Sequence, residues 1–517
     1  MSTVEAVPET ALPKANRGQV LQALSGLMMG MFVAILAGTV VSNALPRIIS
    51  ELGGSQASYT WVVTIELLAM TATVPLWGKL SDLYSKKILI QASLGLFVVG
   101  SLVAGFADSM DVLIASRAVQ GIGAGGLTAL AQVIMAAILS PRELGRYSGV
   151  FGGVFMVGTV AGPLIGGVMV DTPWLGWRWC FFLGVPLALA AIVLLQRTLN
   201  LPVQRREVKV DYWGALLITA GVSLTLVWSS MAGKQFEWLS GTSLALLGGG
   251  LLILLLAIWV ESKVAEPIVP LTIFRNRTVT LTTVASFLVG VAMFGGTVFL
   301  SQYFQLAQGY SPTASGLLGL PMIVGMLVSS TLAGQYISRT GRWKHFLVAG
   351  AVLMTAGLAL LGTIDAHTSL VLIGAFMVVL GVGMGLLMQN LVLAAQNDVP
   401  AKDLGTATSV LSFFRSLGGT IGVSALGAVL AGSVSSELAA KAGGALPAGG
   451  GEAVPNLALL PEPVRAVVQE AYGSATAELF LIAAPIAALV VLAVVFIKAI
   501  PLKTQSGSER LAEEAQV

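Results

Sequence analysis

The 517 residues are 56% hydrophobic and only 10% charged, against roughly a quarter charged in an ordinary soluble domain. Water is therefore not this chain's main solvent. A formal charge of +3, with the basic residues scattered through short loops, excludes a nucleic-acid-binding stripe, and the single cysteine, Cys180, excludes a disulfide or a Cys/His metal site.

The first 19 residues are polar. The apolar run that follows, Val20–Leu45, is about 26 residues long, beyond the ~7–15 of a signal-peptide h-region. It reads as a retained span. A helix needs about 20 apolar residues to cross the ~30 Å hydrocarbon core, and thirteen further segments satisfy that: Tyr59–Leu80, Ile88–Ala107, Val112–Ile138, Tyr147–Val170, Cys180–Leu195, Tyr212–Met231, Thr242–Val260, Val279–Phe304, Ala314–Ile337, Phe346–Ile364, Ser369–Ala395, Gly405–Leu430 and Thr476–Ile497. Fourteen spans put both termini on one side. Of the 28 Lys and Arg, 21 fall on that side, five on the other (Arg47, Arg178, Lys234, Lys441, Arg465) and two, Arg117 and Arg415, within spans. By the positive-inside rule the termini are cytoplasmic. The longest loop, Ala431 to Ala475, is then external; its stretch Pro463 to Tyr472 reads as one short surface helix.

The chain also repeats itself. GKLSDLYSKK from Gly78 follows the second span, and GQYISRTGRWK from Gly334 follows the tenth; RELG (Arg142 to Gly145) precedes the fifth, and KDLG (Lys402 to Gly405) the thirteenth. Continuing the second pairing, Gly158 and Gly162 fall opposite Gly418 and Gly422. The expected organisation is an all-α membrane protein. A cytoplasmic tail (1–19) leads into a six-helix bundle (20–196), then two extra helices with flanking loops (197–278), a second six-helix bundle (279–500, external loop 431–475) and a cytoplasmic tail (501–517). Parallel repeats of this type place a substrate near the bilayer midplane between the halves and alternate access by rocking.

On these motifs the chain resembles the major facilitator superfamily, and within it the fourteen-span drug:proton antiporter branch that includes the QacA and EmrB pumps. The loop Gly78 to Lys87, with Asp82, Lys86 and Lys87, is similar to the superfamily's loop signature; Ser85 stands where a second glycine is usual, implying a looser turn. The resemblance implies that Asp82 binds the amino end of the thirteenth span when the cytoplasmic side is closed, where N–H groups and macrodipole favour a carboxylate. RAVQGIGAGG (Arg117 to Gly126) resembles the fourth-span signature of proton antiporters. GTVAGPLIGG, with Gly158, Gly162, Pro163 and Gly166, resembles the fifth-span signature of exporters. YFQLAQGYSPTASGLLGLP from Tyr303 and the stretch from Gln389 through Arg415 match the same branch. One departure is chemical: where the branch has a first-span aspartate, this chain has Ala37.

The only carboxylate well inside a span is Glu66. It lies seven residues past Tyr59, and Arg117 five past Val112, placing both at similar depth, about 10 and 8 Å below the outer boundary. A tuned pair can exchange protons near neutrality; Glu478, near the outer end of the last span, is the reserve. Arg415 lies about 15 Å deep and serves either an anionic substrate group or packing. Candidate substrate-lining residues are Trp61, Gln120, Met156, Phe294, Gln302, Gln389, Asn390, Phe414 and Arg415. No GxxxxGK[ST] motif is present, which argues against ATP drive. The expectation is no enzyme but a proton-coupled exporter of lipophilic, often cationic compounds. It needs no cofactor or metal, takes protons and a small molecule as partners, lies in the bacterial inner membrane, and works as a monomer. The alternatives are a dedicated exporter of one metabolite or lipid, and a non-transporting receptor or scaffold.

Overall fold

The computed structural model describes residues 17–53, 56–172, 175–199, 211–233, 236–264, 267–442 and 461–514. The chain runs through α1 (Arg17–Leu52), α2 (Gln56–Leu83), α3 (Lys86–Gly105), α4 (Met110–Ile138), α5 (Pro141–Asp171), α6 (Trp179–Phe182), α7 (Gly184–Thr198), α8 (Tyr212–Met231), α9 (Gly241–Glu261), α10 (Arg277–Leu306), α11 (Pro312–Leu318), α12 (Leu320–Thr340), α13 (Lys344–Leu361), α14 (Leu370–Asp398), α15 (Leu404–Ala442), α16 (Glu462–Val495) and α17 (Gly507–Glu514). Polar residues in the connections start the helices. Ser109, Ser240, Ser311 and Ser369 accept from first-turn N–H groups, Asn276 caps α10, and Ser140 forms a capping box with Glu143 at α5.

Helix covers all fourteen expected segments, with α6 and α7 forming one and α11 and α12 another. Among the described residues, eleven helices are long and apolar enough to cross a membrane by length and composition. Helices α2 and α5 stand outside that set, and in α8 the described apolar run is Trp213–Ser229. Leu251, Leu252, Leu255 and Trp259 of α9 all stand exposed, an apolar belt that suits lipid rather than water.

The halves are packed alike. In the first, α1 meets α5 and α7, α4 lies on α2 and α3, and α3 meets α7; in the second, α10 meets α15 and α16, α14 lies on α12 and α13, and α13 meets α16. Glycines repeat at the tightest contacts. A Cβ on Gly121 or Gly125 would strike the α2 backbone at Glu66 and Met70, and one on Gly381 or Gly385 would strike α12 at Met322 and Met326. Absent side chains let these backbones touch. Between halves, α5 packs on α12 and α2 on α15, again as a related pair.

Three sequence expectations are corrected. The connection expected over 431–475 is shorter, because α15 runs on to Ala442 and α16 begins at Glu462; residues 443–460 lie outside the described residues. Pro463 to Tyr472 is no separate surface helix but the first turns of α16, which continues through Gly473, where the helix sits tightly on the Ala366 backbone. The turn at Ser85 needs no glycine: its φ is −59°, and among the described residues no non-glycine has positive φ.

At one end of the bundle Glu51 accepts from Arg47 at 2.7 Å and Trp177 at 2.8 Å, tying α1 to the segment before α6. These bonds, Arg47's first, hold its carboxyl below the usual range. At the other, the Asp82 end, residues 501–514 are docked on the bundle. Asn397 bonds Pro501 O and Lys503 N, Arg510 grips the Gln396 and Val399 carbonyls, and Ser508 Oγ donates to Ala137 O of the first half at 2.9 Å.

Candidate functional site

Glu66 and Arg117 form a buried ion pair between α2 and α4, with Arg117 Nη2 donating to Glu66 Oε2. Arg117 is 1% exposed and Glu66 4%. Gly121, one turn after Arg117, brings α4 onto α2 at the Glu66 carbonyl, so the glycine-rich motif sets the distance that the charges need. Arg117 has further partners: Nη1 donates to Gln120 Oε1 at 2.7 Å, Nε to Val62 O at 3.3 Å, and the guanidinium lies 5.9 Å from the Phe181 ring centroid. Gln120 in turn donates to Ser101 Oγ at 2.8 Å. Gln120 was expected to line a substrate cavity; it belongs to this network instead and is 1% exposed. All six residues, Val62, Glu66, Ser101, Arg117, Gln120 and Phe181, lie in the first half.

Sixteen residues on along α2, about 24 Å away, Asp82 joins the two halves. Its Oδ1 accepts from Gly405 N at 2.9 Å; its Oδ2 accepts from Thr406 N at 2.8 Å and Thr406 Oγ1 at 2.7 Å. The carboxylate thus occupies the amino end of α15, where N–H groups lack helical acceptors. Lys86 acts on Asp82 electrostatically, whereas Lys87 turns away and donates to Gln196 O of α7 at 2.6 Å. Gly78 is pressed against Ser409 and the Gly405 carbonyl, leaving no room for a side chain.

The internal repeat makes a second contact. Asp82 corresponds to Ser338 and Lys402 to Arg142, and here Arg142 Nε and Nη2 donate to Ser338 O and Arg339 O, both at 2.6 Å. A carboxylate caps a helix start at one place; a guanidinium caps the end of α12 at its counterpart. Sequence reading singled out RELG only as a repeat marker, because backbone carbonyl acceptors leave no residue signature.

Other expected residues are dispersed. Gly158, Gly162 and Gly166 face Ile35, Thr39 and Val40 of α1, and Thr39 Oγ1 donates to Gly158 O at 3.2 Å, so this motif packs inside the first half. Asn390 is satisfied on its own helix by Leu386 O at 2.7 Å. Phe414 meets Phe274 and Phe413 edge-on, with centroids 6.5 and 5.2 Å away. Trp61, Gln302, Gln389 and Arg415 are half-buried, and Gln302 Oε1 is buried without a hydrogen-bond partner. The side chains of Met156, Pro163 and Phe294 lie outside the described residues. A cavity of about 440 Å³, lined by Gln308, Tyr310, His367, Thr368, Gln469 and Glu470, opens within the second half alone and is not a site between halves. Among the described residues no cluster of His, Cys, Asp and Glu could hold a metal.

Residues 27–423 match the family described as Major Facilitator Superfamily. The chain is 37% identical to an uncharacterized MFS-type transporter of Mycobacterium tuberculosis over 92% of its own length and 69% of the relative's. It is 36% identical to the multidrug transporter protein MdtP of Bacillus subtilis, over 79% of this chain and 74% of that one. Among solved structures it is similar to the proton:xylose symporter XylE, with a TM-score of 0.60 at 13% identity, covering 96% of this chain and 99% of the other; that likeness is one of fold.

Proposed function

The chain belongs to the major facilitator superfamily, and from that premise we propose that it is a fourteen-span, proton-driven exporter of lipophilic, often cationic compounds. It works as a monomer in a bacterial inner membrane with both termini cytoplasmic, and the gradient is its only energy source. Similarity to a protein named a multidrug transporter supports the substrate class.

The observation that carries the proton reading is the partner set of Arg117. When Glu66 takes up a proton, Arg117 keeps Gln120 Oε1, Val62 O and the Phe181 face, so the neutral acid does not strand a buried cation. A buried pair without such reserves would be locked ionised. In the proposed cycle Glu66 is protonated from outside and the neutral form permits return to the inward-facing state. Release of the proton inside restores the ion pair, and a cationic substrate favours the carboxylate. The contacts of Asp82 and Arg142 close the cytoplasmic side while the outer side is open.

The test is reconstitution in liposomes with an imposed pH gradient and a panel of lipophilic cations. Substrate-dependent proton flux, with accumulation against the substrate gradient, is expected. Substrate movement with no proton movement would overturn the reading.

A further inference from the structure

A second group of buried charge lies where the added pair α8–α9 meets α2, outside both the ion pair and the Asp82 contact. Asp211 is 7% exposed, Glu261 5% and Lys79 6%. Asp211 Oδ1 caps α8 by accepting from Gly214 N at 2.8 Å. Glu261 closes the turn after α9, its Oε1 accepting from Ile268 N at 3.1 Å and its Oε2 from Val269 N at 2.9 Å. These bonds explain three carboxylate oxygens. The fourth, Asp211 Oδ2, is buried and has no hydrogen-bond partner. Glu261 Oε1 is its neighbour: both oxygens overlap the place that a Cβ on Gly214 would take, so the glycine is what leaves room for both.

Two ionised carboxylates held this way are unfavourable twice over, since like charges meet out of water and one oxygen lacks a donor. Lys79, which acts electrostatically on Glu261, balances one negative charge. A single proton removes the rest of the difficulty. It gives the orphaned oxygen a partner and brings the Lys79, Asp211 and Glu261 group to neutrality.

We propose that Asp211 and Glu261 share one proton, forming a second protonatable site at the junction of the added helix pair with the gate helix α2. One carboxylate takes a proton from water and the new O–H donates to the other carboxylate; no other bond changes. The site is distinct from Glu66 and stands whether or not the protein is an antiporter. Lys79 adjoins Gly78, which is pressed on Ser409, and lies one turn before Asp82, so loss of the shared proton places uncompensated negative charge beside the contact between halves. Among the described residues, the elements packed against the site carry few other charged groups. On α2 they are Asp82 and Lys86, and on the connection after α9 the exposed Lys263; on α15, which also packs on α8, they are Arg415 and, just before its start, Lys402 and Asp403. Arg205, Arg206, Glu207 and Lys209, which precede Asp211, lie outside the described residues.

The test is infrared spectroscopy of the purified full chain in lipid nanodiscs at pH 7, in H₂O and D₂O. Wild type and Glu66→Gln are expected to show the carbonyl stretch of a protonated carboxyl group that shifts on deuteration; Asp211→Asn and Glu261→Gln each lose it. Thermal unfolding supplies the second readout. An amide supplies the donor that the proton supplied, so Asp211→Asn should unfold within a few degrees of wild type at neutral pH and show less loss of stability as pH rises. An unchanged carboxyl band in both Asp211→Asn and Glu261→Gln would overturn the proposal, as would a band lost only in Glu66→Gln.

Discussion

One helix holds two carboxylates with opposite kinds of partner. Asp82, at the end of α2, is bonded to N–H and O–H groups of the other half, so its bonds exist only while the halves meet there. Glu66, about 24 Å back along the same helix, is paired with Arg117 of its own half, and rocking one half against the other leaves that pair together. The first is sensitive to geometry. The second changes only if its charge changes, which is why a proton is the variable assigned to it.

The comparison is broken most severely by removing the cation. Arg117→Ala leaves Glu66 buried without compensation, and a stability loss of about 3–5 kcal/mol is expected, read as a fall in thermal unfolding temperature in detergent. Adding Glu66→Gln should restore most of it; no recovery would mean that Arg117 acts by packing. Asp82→Ala strands two N–H groups and a hydroxyl of α15 at a cost of about 1–3 kcal/mol. That shifts the balance between joined and separated halves roughly 5- to 150-fold and slows transport without loss of expression. Spin-label distances across the Asp82 end check this, and an unchanged distance distribution would make Asp82 a merely solvated charge. Arg142→Ala should act the same way by about 1–2 kcal/mol, since its two bonds go to carbonyls that water also satisfies. Ending the chain at Thr504 is the mildest change. It removes the Ser508 and Arg510 contacts and is expected to shift the same balance by about 1 kcal/mol, again as a longer distance at that end.

Much of this was legible before folding. The meeting of Glu66 and Arg117 was anticipated by counting residues at a fixed rise per residue, and the contact of Asp82 with the start of α15 is the one that the resemblance to the superfamily's loop signature implied. The paired motifs exposed a repeat that the packing of α2 on α15 and α5 on α12 then displays. What stayed hidden has a common cause. In a membrane bundle both the lipid-facing and the protein-facing sides are apolar, so amphipathic patterning does not say which way Gln120, Asn390 or Phe414 points. Gln120 therefore turned up on Arg117 and Phe414 on Phe274. The tail was hidden for another reason. Residues 501–517 are polar, and their anchors on Ala137, Gln396 and Val399 are backbone carbonyls that every residue possesses.

The central claim is that Glu66 carries the coupling proton, and uphill export by Glu66→Gln in proteoliposomes tests it most directly, with substrate exchange at equal pH measured alongside. The glutamine imitates the protonated acid and cannot release a proton. The account predicts that export against the substrate gradient falls to the level of empty liposomes, while exchange persists because the halves still move. It also predicts that substrate binding to wild type weakens as pH falls and that the variant loses this dependence. A Glu66→Gln protein that still exports uphill with the wild-type pH profile would contradict the account and place the coupling proton elsewhere, with Glu478 the next residue to change.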